Sequence, residues 1–92
     1  MMKTLRYSTQ YKKDFKRYRN NPAKLEKLLA VIRMLERGET VPPHYKPYWL
    51  TGNYKDCMEC HIEGDFLLIW FDDKHDDIVL LRLGSYSELF GR

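Results

Sequence analysis

Leu5 and Tyr7 alternate with Arg6 and Ser8, the period of two that marks a strand, here over residues 3–8. Ser8 or Thr9 then stands where a helix cap belongs. Tyr11, Phe15 and Tyr18 follow at the i, i+4, i+7 spacing of one helical face. Asn20-Asn21-Pro22 interrupts this helix and opens another, with Asn21 as N-cap and Pro22 at the first helical position. The stripe Leu25, Leu28, Leu29, Ile32, Leu35 is strongly helical, and Gly38 falls at the C′ position just beyond it. The spacing therefore predicts a helical hairpin.

Pro42-Pro43, Pro47 and Gly52 make residues 39–53 a loop, which carries His44, Tyr45, Tyr48 and Trp49. From Tyr54 the period returns to two. Tyr54, Met58, Cys60 and Ile62 fall on one face of the expected strand; Lys55, Cys57, Glu59 and His61 fall on the other. Glu63-Gly64 reads as a turn. Phe66 to Phe71 is apolar on both faces, as a central strand is, and Asp72 to Asp77 reads as an acidic turn before the strand Ile78 to Leu83. The order is β-α-α-β-β-β. It predicts an α+β fold, an antiparallel sheet with the N-terminal helical hairpin packed on one face, as a single domain over residues 1–92.

Hydrophobic residues at 43% and charged residues at 32% fit a water-soluble globular chain. The longest apolar run, Phe66 to Phe71, is far short of the roughly 18–20 residues of a membrane helix. Met1-Met2-Lys3-Thr4 leads into the first strand with no apolar segment behind it, so the expected location is the cytoplasm. The net charge of +3 hides an asymmetry. Residues 1–37 hold eleven Lys and Arg against three acids, whereas residues 38–92 hold five against ten. A basic half suits a polyanionic partner such as a phosphate backbone, although Lys and Arg also serve simply to solvate helices.

Cys57-Met58-Glu59-Cys60-His61 has the C-x-x-C-H spacing of a c-type haem attachment site, and its first four residues suit a redox dithiol or half a zinc site. In a period-two segment, however, Cys57 and Cys60 point to opposite faces. That geometry opposes shared haem, shared zinc and an intrastrand disulfide alike. No second Cys pair exists. Cys60 is expected as a small core residue and Cys57 as incidental, with no metal and no cofactor.

What remains is a polar constellation. Lys55, Glu59 and His61 share one strand face, Asp65 lies just past the turn, Arg82 sits on the last strand, and Tyr86 and Phe90 lie in the tail. Phosphodiester cleavage uses such groups: a base for the 2′-OH, cations for the charged phosphorane, an acid for the leaving 5′-oxygen. Aromatic side chains such as Tyr48 and Trp49 hold splayed bases by stacking. Each of these residues also has an ordinary structural role open to it, as a surface, turn or ion-pair group.

The ordered set of motifs resembles the YafQ-type toxins of the RelE bacterial toxin family over nearly the whole chain. The parallel runs from Tyr7-Ser8-x-Gln10-Tyr11-x-Lys13-Asp14 through Tyr45-Lys46 and Leu50-x-Gly52-x-Tyr54-Lys55. It continues with His61-Ile62-Glu63-x-Asp65-Phe66-Leu67-Leu68-Ile69 and Arg82-x-Gly84-Ser85, and ends at Leu89-Phe90-Gly91. The resemblance implies a metal-independent endoribonuclease that cuts mRNA in the ribosomal A site. It also implies a cognate antitoxin that neutralises it and binds operator DNA with it, and a free toxin that is monomeric. His61 and Asp65 match a catalytic His and Asp of those toxins, Phe66 an aromatic position that is usually Trp, and Phe90 the near-terminal Phe needed for activity.

Two positions depart from the pattern. Tyr48 and Tyr86 stand where YafQ-type toxins carry His. Other RelE relatives work with Lys, Arg and a C-terminal Tyr, which leaves Lys55 and Arg82 to stabilise charge and Tyr86 to hold a base. The roles of base and acid stay open between His61 and Asp65. Phe90, Phe66, Tyr48, Trp49, Lys12, Lys13, Lys16 and Arg17 are the expected contacts to RNA. The alternative is a weak or inactive member of the fold that acts by binding antitoxin with operator DNA, or the ribosome.

Overall fold

The Leu and Ile stripe of the second helix organises the fold. The computed structural model describes residues 2–73 and 75–91. Its elements are β1 (Thr4–Tyr7), α1 (Thr9–Lys16), α2 (Pro22–Glu36), β2 (Tyr48–Trp49), β3 (Met58–Glu63), β4 (Phe66–Asp73), β5 (Asp77–Gly84) and α3 (Tyr86–Phe90). Short 3-10 turns lie at Pro43–Tyr45 and Gly52–Tyr54. The Ser8 hydroxyl accepts a hydrogen bond from the Tyr11 N–H at 2.9 Å and so caps α1. Asn21 caps α2 with Pro22 in its first turn, and Gly38 takes the left-handed conformation that stops it.

Among the described residues, five strands form one sheet in the order β1-β5-β4-β3-β2. β2, β3, β4 and β5 pair antiparallel, while β1 closes the other edge parallel to β5. α2 and α1 cover one face. Leu28, Val31, Ile32 and Leu35 meet Cys60, Ile62, Leu68, Trp70, Leu80 and Leu83 of the sheet, with Tyr11 from α1 joining them. A smaller cluster of Cys57, Leu67, Ile69 and Leu89 lies on the opposite face, beneath α3.

Three expectations are corrected here. Residues 39–53 are not all loop: Pro47 ends the irregular run, and Tyr48 and Trp49 pair with Glu59 and Met58 as a fourth antiparallel strand. The regular part of β3 begins at Met58, not Tyr54. The turn at Gly52–Tyr54 and the left-handed Asp56 (φ 69°) reset the side-chain phase, so Tyr54 packs on the opposite face from Met58. Phe66, expected to touch RNA, is 1% exposed. It lies in the helix-covered core with its ring 4.7 Å from that of Tyr18.

Candidate active site

The register of the sheet assembles the constellation. Tyr48 pairs with Glu59, Glu59 with Ile69, and Ile69 with Arg82, so four strands contribute one row across the face away from the helices. His61, Leu67 and Gly84 form the next row. Strands lie about 4.8 Å apart, which sets Arg82 roughly 10 Å across the sheet from Glu59. That span suits a phosphate held between the β3 and β5 sides.

His61 is half-buried, and its Nδ1 lies 2.9 Å from the carbonyl oxygen of Gly64 in the β3–β4 turn. A carbonyl only accepts, so Nδ1 carries a hydrogen, and in the neutral ring Nε2 presents its lone pair. Glu59 Oε1 is 3.9 Å from that nitrogen. Glu59 itself is 1% exposed, and its Oε2 is buried without a hydrogen-bond partner. Such a carboxylate is costly to bury and signals a polar site. Hydrogen bonding to Glu59, then burial, pushes the Tyr48 hydroxyl up to about 12. The neutral phenol thus stays a donor where the resemblance leads one to expect imidazole.

On the β5 side, Arg82 is clamped by a fully buried carboxylate. Its Nε donates to Asp14 Oδ2 at 2.8 Å and its Nη2 to Oδ1 at 3.4 Å, while Nη1 donates to the Tyr54 hydroxyl at 3.2 Å. The Leu83 N–H also donates to Asp14, at 2.9 Å. Burial pushes Asp14 up, but the bonds from Arg82, Leu83 and Gln10 outweigh it and hold the carboxyl below its usual range. A guanidinium has five N–H donors, so the clamp orients Arg82 and leaves two for a phosphate. Asp14 stands in the quoted motif, yet its task is legible only once α1 lies against β5.

The tail is brought over the same face. Asp65 is not on the strand row: its Oδ1 accepts from the Tyr86 N–H at 2.8 Å, tying the β3–β4 turn to the start of α3. Tyr86 is exposed, and its ring lies 4.8 Å from that of Phe90. Phe90 in turn meets Tyr54 edge-on at 6.0 Å. These aromatics form a platform beside Arg82. Lys55, exposed, follows Tyr54 at the end of the 3-10 turn.

Other expected residues are dispersed. Trp49 is 65% exposed at the β2 edge. The basic face of α1 is split in two. Arg17 faces the site side, 3.4 Å from Asp14 and 3.6 Å from Glu88, and Lys13 shares that flank at i, i+4 spacing. Lys12 and Lys16 instead rim a groove of about 610 Å³ with Arg19 and Arg33, floored by Leu5, Phe15, Leu29 and Ile32. Cys57 and Cys60 point to opposite faces as expected, but Cys57 is not incidental, since it is buried in the cluster beneath α3. Burial pushes the Cys60 thiol up to about 12, far from a reactive thiolate. Among the described residues, no group of three His, Cys, Asp or Glu side chains is placed to hold a metal ion.

The site residue that sequence reasoning left without a role is Glu59. Its alternation with His61 was visible, but its burial depends on β2 and β4 closing over it.

A family model described as bacterial toxin of type II toxin-antitoxin system, YafQ, matches residues 3–91. The chain is 31% identical over 94 residues to the mRNA interferase toxin YafQ of Escherichia coli K12, with 99% of each chain covered. The metal-bound toxin from Helicobacter pylori superposes with a TM-score of 0.86 at 38% identity, covering 97% of this chain and 100% of that one. The YafQ structure within the E. coli DinJ-YafQ toxin-antitoxin complex gives a TM-score of 0.87 at 28% identity, covering 99% and 100%.

Proposed function

The chain belongs to the YafQ family of type II toxin–antitoxin toxins, and from this we propose that it is an endoribonuclease that cuts mRNA in the ribosomal A site. The 2′-oxygen of the substrate forms a bond to the adjacent phosphorus while the bond from phosphorus to the 5′-oxygen breaks. The products are a 2′,3′-cyclic phosphate and a free 5′-hydroxyl.

The observation that carries this reading is the contact of His61 Nδ1 with the Gly64 carbonyl, which in the neutral ring leaves Nε2 as a base one row along the sheet from Arg82. His61 takes the 2′-OH proton. Arg82, oriented by Asp14, and Lys55 stabilise the phosphorane charge. Lys55 or a water returns a proton to the leaving oxygen. Tyr86 and Phe90 stack the base, with Tyr48 at the β2 edge of the same face, whereas Trp49 beside Met58 lies on the other face. Asp65 acts by holding the start of α3. The chemistry is carried by protein groups without a metal ion, and it takes place in the cytoplasm where translation occurs.

The second partner is an antitoxin, the role DinJ has in the E. coli complex. The groove of α1, α2 and β1 has an apolar floor and four cations on its rim against one acid, Glu36. By charge complementarity it suits an acidic, amphipathic segment of that antitoxin. Lys13 and Arg17, on the other flank of α1, face RNA.

Inducible expression with primer extension on cellular mRNA tests the reading. Codon-spaced ends from wild type, lost in His61→Ala and insensitive to chelation in a purified assay, support it. Growth inhibition without such ends indicates a toxin that binds without cutting, the reading favoured by Tyr48 and Tyr86 standing in place of His.

A further inference from the structure

α3 has five residues, too few to hold a helix by itself, yet it carries both aromatics of the proposed base platform. Something must fix it. Glu88, on the helix itself, is the centre of what does. Its Oε1 accepts from the Ser85 N–H at 2.8 Å while the Ser85 hydroxyl accepts from the Glu88 N–H at 3.1 Å, a complete capping box. The same Oε1 accepts from the Tyr18 hydroxyl at 2.5 Å, and Oε2 lies 3.6 Å from Arg17 Nη1.

The surroundings are shaped around this carboxylate. A Cβ at Gly84 would lie 2.7 Å from Glu88 Oε1, and Gly84 has φ 153°, so glycine there lets the carboxylate lie against the backbone. Tyr18 is equally fixed: its ring packs on Phe66, which is buried in the helix-covered core. Burial and Glu88 together push the Tyr18 hydroxyl up to about 12, and Tyr18, then the Ser85 N–H, hold Glu88 below the usual carboxylate range.

Resting on the site assignment above, we propose that Tyr18 and Glu88 form a clasp that positions α3, so that Tyr86 and Phe90 stand over the cleavage site. Both are positioning residues; neither touches substrate. The clasp runs from the core through Phe66, Tyr18 and Glu88 to Tyr86. It gives the buried Phe66 an influence on the site at one remove. It also places Glu88 opposite Arg17, where the carboxylate offsets part of the charge that faces RNA.

The test uses the full chain with Tyr18→Phe and Glu88→Gln, the latter able to keep a capping box, so both retain the fold. Two readouts apply: cleavage of ribosome-bound mRNA and amide exchange of residues 86–91. Exchange in that segment is expected to rise about tenfold in Tyr18→Phe and less in Glu88→Gln, whose amide oxygen still accepts from Tyr18 and Ser85, with other amides unchanged. Cleavage is expected to fall about five- to tenfold. In a Tyr86→Ala, Phe90→Ala background, Tyr18→Phe is expected to have little further effect on cleavage, since the clasp acts through those two side chains. A structural role alone would leave the Tyr18→Phe effect intact there. Wild-type exchange and wild-type cleavage in both single variants overturn the clasp, provided the Tyr86→Ala, Phe90→Ala background is itself impaired. An unimpaired background overturns the site assignment instead, and with it the clasp's purpose.

Discussion

The two faces of the sheet are built on opposite principles. The helix-covered face is apolar and continuous, from Tyr11 and Leu28 to Phe66 and Leu83, with each side chain satisfied by its neighbours. The open face has a small apolar cluster ringed by Tyr48, Glu59, His61 and Arg82. Among the described residues, the two buried charged side chains, Asp14 and Glu59, both serve this open side. Stability is thus concentrated on one face and the proposed chemistry on the other, with α3 joined to both.

The largest effect should come from His61→Ala: cleavage falls about 10²–10⁴-fold, as loss of an acid–base group does, while the thermal midpoint stays within a few degrees of wild type. Phe66→Ala should give the converse. It removes a fully buried ring and should cost about 3–5 kcal/mol in urea unfolding. If it instead leaves stability near wild type but abolishes cleavage, the division between faces fails.

Asp14→Asn should affect both, because it leaves Arg82 without its anionic partner and should cost about 3 kcal/mol. The pH dependence follows from sign. The folded carboxyl is held below its usual value, so its contribution is present above the unfolded value near 4 and is lost as pH falls through the folded one. The stability gap between wild type and Asp14→Asn should therefore narrow below about pH 4 in a thermal-melt series.

Smaller effects probe the margins. Leu29→Glu on the groove floor should weaken antitoxin affinity by about tenfold or more in calorimetry, or about 1.4 kcal/mol, without changing cleavage by the free toxin. Cys57→Ala should cost about 1 kcal/mol or less and leave cleavage unchanged. A large loss of activity there would return the C-x-x-C-H pattern to consideration.

Much of this was open to reading along the chain. The capping Ser8 and Asn21, the Leu and Ile stripe of α2 and the stop at Gly38 are local features, so periodicity and cap chemistry suffice to place them. The opposite orientation of Cys57 and Cys60 came from strand alternation and holds. Asp56 in a left-handed conformation could not be foreseen, and it shifted Tyr54 to the other face.

For the site, the motifs supplied His61, Asp65, Arg82 and Phe90 as candidates, Tyr86 stood as a departure from them, and composition showed where cations concentrate. By themselves they did not say which would be neighbours. Strand register decided that Tyr48, Glu59 and Arg82 share a row. Packing decided that Phe66 is core and that Asp14 clamps Arg82. It also decided that Tyr18 reaches Glu88 across seventy residues of chain. The physical reason is range: caps and periodicity act over one helical turn or two strand positions, whereas burial and pairing depend on partners that only the folded chain brings together.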